Sequence, residues 1–140
     1  MLTKKDFGRL EKVFHTLPLT KGLTFWKRVD GCVALSLNFP YSGIQGVAEI
    51  DTFFFDEEEI ESYQAFADAL LERAEQYDPI ESLFQIFSMR KAHEGEERAK
   101  RCLRCDLEFV DTVNDYLFKL AEIAQDVANS NGDISDFVLE

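Results

Sequence analysis

Apolar residues recur along the chain with two periods. Phe7, Leu10, Val13, Phe14 and Leu17 lie three and four apart, which predicts an amphipathic helix over 4–16. Thr3 and Asp6 have the spacing of a capping box at its start, and Pro18 and Gly22 end it. Residues 23–29 and 32–39 are rich in β-formers and flank Asp30-Gly31, a hairpin signal. A two-residue turn sets Val29 opposite Cys32 and Trp26 opposite Leu35. That register gathers Trp26, Val33, Leu35 and Leu37 on one face, with Phe25, Lys27, Val29, Cys32, Ala34 and Ser36 on the other. Residues 38–43 read as a loop and 44–55 as a third strand, with Gly46 at a bulge and Phe53-Phe54-Phe55 as core on both sides.

The helical period returns after Phe55. Asp56 is placed as an N-cap, and Ile60, Tyr63, Ala67, Leu70, Leu71, Ala74 and Tyr77 form one stripe, which predicts a helix over 57–77. Asp78-Pro79 opens a third helix carrying Ile80, Leu83, Phe84 and Phe87, which fades near Lys91. A polar break containing Gly95 follows, over 93–97. A long helix then runs from 96 to 128. Leu103, Val110, Leu117 and Ala124 repeat every seven residues beside Ala99, Val113, Leu120 and Val127, and Asp106 interrupts the pattern. Cys102, Phe109, Tyr116 and Ile123 widen the stripe beyond a coiled-coil seam, so the helix is expected to pack within the domain. At about 1.5 Å per residue it spans about 50 Å, so part of it should project or bend. The expectation is an α+β domain over 1–132, consisting of an N-terminal helix, a three-stranded antiparallel β-meander and three helices, followed by an acidic tail over 133–140.

A chain of 140 residues with 46% hydrophobic residues forms one domain with a real core. No apolar run has the length of a membrane span, and the first residues lack a signal-peptide core. Three cysteines suggest reduced thiols in a cytoplasm. The net charge of −12 opposes direct binding to nucleic acid. That charge is segregated: residues 1–31 carry +4, 32–87 carry −11, 88–105 carry +3 and 106–140 carry −8. Patches of opposite sign steer encounters and select partners.

Candidate chemistry is sparse. Cys102 and Cys105 form a C-x-x-C, but inside a predicted helix with no strand before it, unlike a redox motif, and without paired ligands for zinc. Glu58-x-x-Glu61 and Glu108-x-x-Asp111 resemble the magnesium-binding pairs of helical nucleotide pyrophosphatases, whose spacing puts two carboxylates on one helix face. That resemblance implies a metal-dependent nucleotide hydrolase, although the 46 residues between the pairs are too many for that family's helix pair. His15 and His93 are the whole imidazole supply, and no nucleophile motif or phosphate-binding glycine loop is present. No cofactor is expected.

The most unusual surface is the acidic side of the helix predicted at 57–77. Glu57, Glu58, Glu61, Asp68, Glu72 and Glu75 form a column there, with Glu61, Asp68 and Glu75 seven apart. Glu49 and Asp51 join as a reserve on the second sheet face. Like charges this dense cost a few tenths of a kcal/mol each, so a negative face suggests selection for a basic partner. The order helix, three strands, helix resembles the outline of the double-stranded-RNA-binding domain, with acids where such domains carry lysines. The same acidic outline with further helices looks like some small phage-encoded inhibitors of CRISPR nucleases, which implies inhibition by charge mimicry in a mobile-element setting. The leading expectation is therefore a non-enzymatic module that docks on a basic, nucleic-acid-binding protein. Its rivals are an assembly subunit whose long helix self-associates as a homodimer, and the hydrolase.

Overall fold

A computed structural model describes residues 1–17, 24–27, 30–38 and 50–135, with the backbone alone at 24–27, 38, 50 and 51. These residues form a mixed fold of four helices and an antiparallel sheet. The elements are α1 (Lys4–Phe14), β1 (Thr24–Lys27), β2 (Val33–Asn38), β3 (Ile50–Phe55), α2 (Tyr63–Gln76), α3 (Pro79–Glu94) and α4 (Glu96–Asn129). The strands pair in the order β1-β2-β3. The segments joining them, the Gly46 bulge and the end of the acidic tail lie outside the described residues.

The cap of α1 forms as the spacing requires. Thr3 N–H donates to Asp6 Oδ2 (2.7 Å) and Asp6 N–H donates to Thr3 Oγ1 (3.3 Å). Phe7, Leu10, Val13 and Phe14 enter the core.

The hairpin register differs from the predicted one by one residue. Lys27 pairs with Val33, Trp26 with Ala34 and Phe25 with Leu35. An odd number of residues lies between Lys27 and Val33, and that shifts every pairing by one relative to a two-residue turn. Asp30 forms a side-chain turn before β2. Its Oδ1 accepts from Cys32 N–H (3.1 Å) while Gly31 takes a φ of +87°, an Asx-type turn. On β2 the core takes Val33, Leu35 and Leu37, and Ala34 and Ser36 are buried as well. Phe55 is fully buried and Phe53 packs against the core, but Phe54 is 46% exposed, so the triplet is core on one side only.

The second helix also departs from expectation. Asp56 caps a single turn rather than a long helix: Glu59 N–H donates to Asp56 Oδ1 (3.0 Å), and Asp56 N–H donates to Glu59 Oε1 (3.1 Å). Ser62 then adopts an extended conformation and accepts from Ala65 N–H (3.0 Å), so α2 begins at Tyr63. Phe66 becomes its central core residue, edge-on to Phe7 and Phe55 at 5.7 and 5.0 Å, while Leu71 is turned outward.

Only Gly95, with a φ of +92°, separates α3 from α4, so the expected polar break shrinks to one residue. The helix α4 runs 34 residues without interruption. Its column Ala99, Asp106, Val113, Leu120 and Val127 is buried along its whole length, and Asp106 is matched by Arg90 of α3 at 2.6 and 2.8 Å. Leu103, expected in the stripe, is 38% exposed. Helices α2 and α3 lie head to tail along α4, α2 against its C-terminal half and α3 against its N-terminal half. The sheet and α1 cover the α2 half. Helix α3 packs chiefly on α4, so residues 79–108 form a two-helix arm that extends from the body.

Candidate acidic docking face

The structure divides the predicted acidic column. Asp68, Glu72 and Glu75 are exposed on α2 and fall within about a sixth of a turn of one another. Glu57, Glu58 and Glu61 are also exposed, but they belong to the 56–62 turn, off the helix face, because Ser62 and not Asp56 starts α2. The carboxylate of Glu57 lies against the hairpin turn, where a Cβ on Gly31 would meet it at 2.7 Å. Glu49 lies outside the described residues. Asp51 pairs with Leu37, in the ladder positions of Val33 and Leu35, and not on the sheet face of Ala34 and Ser36 where it was expected.

A second acidic column runs along α4. Glu108, Asp111, Asp115, Glu122 and Asp126 are all exposed, and their spacing places them within about a sixth of a turn over about 27 Å. They lie opposite the buried column of the same helix. Glu108, Asp115 and Glu122 are seven apart, the same periodicity as Glu61, Asp68 and Glu75.

An amide bridge joins the two columns. Gln64 Nε2 donates to Asp68 Oδ1 (2.9 Å) and to Gln125 Oε1 (2.8 Å), and Gln125 Nε2 donates back to Gln64 Oε1 (2.8 Å). Gln125 stands between Glu122 and Asp126 in the chain, so the α2 and α4 carboxylates flank one seam. Among the described residues their cationic neighbours are few. Arg104 reaches Glu108 at 4.0 Å, and Lys119 lies over the Tyr116 ring at 5.0 Å. Eight carboxylates over about 27 Å give roughly one charge per 3–4 Å of axis, similar to the spacing along one nucleic-acid strand.

The other candidates stay apart. Cys102 is half-buried and Cys105 exposed on continuous α4, and His93 is exposed. His15 stands 4.0 Å from Glu11. Among the described residues no three His, Cys, Asp or Glu side chains gather as a metal site requires, and no helix is long and apolar enough to cross a membrane. Leu117 and Leu120, needed on the surface for two long helices to join, are fully buried within the chain. Comparison with protein-family models, curated proteins and solved structures found no match.

Proposed function

We propose that this chain is a non-enzymatic binding module whose α2–α4 face docks on a basic protein surface, such as the phosphate-binding groove of a nucleic-acid-binding protein. The observation that carries the reading is the amide-bridged pair of carboxylate columns, held on rigid helices with few cations beside them. Like charges this close repel at a cost of a few tenths of a kcal/mol per pair, and a basic partner would relieve that repulsion. Occupying such a groove in place of phosphates would inhibit the partner. Glu57, Glu58 and Glu61 extend the negative surface beyond the start of α2. Three cysteines, an odd number, fit a reducing compartment.

The test is capture of partners on immobilised protein, with the E72K/E75K/E122K variant as control. All three residues are exposed, so the fold should be unaffected. A partner held at low salt should be released as salt rises above about 0.5 M, where the screening length falls to a few ångströms. The variant should lose it by about tenfold or more. Capture indifferent to both changes would remove electrostatic docking.

A further inference from the structure

The arm carries an apolar face that the described residues of the body leave exposed. On α3, Ile80 and Phe84 are 65% and 67% exposed, and with half-buried Phe87 they recur at spacings of four and three. On α4, Leu103 and Leu107 are 38% and 43% exposed, four apart. The line of contact between the helices runs through Leu83 and Arg90 on α3 and through Ala99, Asp106 and Val113 on α4. Both exposed sets lie about a quarter-turn from that line in the same rotational sense. In an antiparallel pair, that puts them on one side of the arm. Two helices enclose no core alone; an apolar flank is satisfied by further helices.

The charge on that flank is polar along its length. Towards the tip stand Lys91 and Lys100 with Glu96, and towards the body Asp111, while Arg104 and Asp115 stand at the outer rim of α4, farther from the contact line. Lys100 is shared with Glu96 at 3.7 Å and Arg104 with Glu108 at 4.0 Å, both as exposed pairs that solvent screens. A two-fold axis through the apolar centre, near Phe84 and Leu107, lays each basic tip on the acidic base of the other arm. The surface is thus complementary to itself, as an isologous interface must be.

We infer that the arm is a homodimerisation surface, where two copies pack their arms antiparallel into a four-helix bundle. The inference borrows from the docking reading only the attraction of the α4 carboxylates for cations. The face measures about 24 Å by 20 Å, so the pair would bury roughly 1,000 Å², near the lower bound for a specific interface. The dimer is therefore weak and depends on both its apolar centre and its charged ends.

Sedimentation velocity of the full chain tests this. At high micromolar concentration and low salt, the mass should approach twice the 16.1 kDa of one chain. F84E/L107E should sediment as a monomer with an unchanged helical circular-dichroism spectrum and melting point, since both residues are exposed. K100E/R104E should weaken the dimer by about tenfold or more, and adding D111K/D115K to the same chain should restore it, because the ends match again. A wild-type monomer at every concentration overturns the proposal, and so does a dimer that survives F84E/L107E. Failure of the second charge swap to restore overturns the antiparallel arrangement. The E72K/E75K/E122K variant lies off the arm and should keep the wild-type mass, so loss of a foreign partner and loss of the dimer read out separately.

Discussion

Asp106 is the residue whose environment most changes the meaning of its sequence position. In the apolar repeat it is an interruption. In the fold it is 4% exposed and takes two hydrogen bonds, from Arg90 Nε and Nη2, while Glu94 stands 3.4 Å from the same guanidinium. These bonds hold Arg90 above its ordinary pKa. Buried ion pairs seldom add much net stability over apolar residues of the same size, but breaking one leaves a charge without its partner. D106A should therefore cost about 3–5 kcal/mol in urea unfolding, whereas R90M/D106L should recover most of that loss. A D106A cost below about 1 kcal/mol would mean that water solvates Arg90 at the α3–α4 contact. The interruption itself was legible in the sequence. The partner was not, because Arg90 sits sixteen residues earlier on another helix and no local spacing ties the two.

Elements were legible where one local signal stood unopposed. Thr3 and Asp6 marked the start of α1 and Asp78-Pro79 the start of α3, whose end was expected near Lys91 and lies at Glu94. They were misread where two signals competed. Asp56 and Ser62 are both good N-caps, and the helix took the second because reciprocal bonds to Glu59 satisfy Asp56 within one turn. Asp30-Gly31 pointed correctly to a turn, but the β1–β2 ladder is offset by one residue from the two-residue turn it predicts, which changes every pairing. The acidic site was read in consequence as one column where the structure has a turn, a short α2 column and a longer α4 column.

The cap of α1 also links elements, since Tyr63 at the start of α2 donates its hydroxyl to Asp6 Oδ1 (2.8 Å). Backbone donation from Thr3, aided by the Tyr63 hydroxyl, holds the Asp6 carboxyl below its ordinary 3.8. A carboxylate with a lowered pKa contributes stability above its unfolded value and loses it as the pH falls through the folded one. The melting point should therefore drop in acid below pH 3.8, and the part due to Asp6 should vanish in D6N. An identical acid limb in D6N, measured by circular dichroism, would show that the cap does not couple to folding.

At the scale of the molecule, the net charge of −12 resolves into an acidic body and an arm whose tip is basic. The body buries its apolar residues among α1, the sheet, α2 and the C-terminal half of α4. The arm has one contact line and an open flank. One unbroken helix belongs to both, and this has a consequence for local opening. Amide protons near Phe109 to Val127 are locked by the main core and should exchange only on global unfolding. Those from Lys100 to Cys105, on the same helix, need only the arm to separate. Hydrogen–deuterium exchange should therefore step down in protection across Asp106, within a helix that has no break. In dilute protein the step should be steep, and at high concentration it should flatten as a second arm covers the first. The 34-residue helix α4 would then report, amide by amide, where one copy's own packing ends and the next copy's begins.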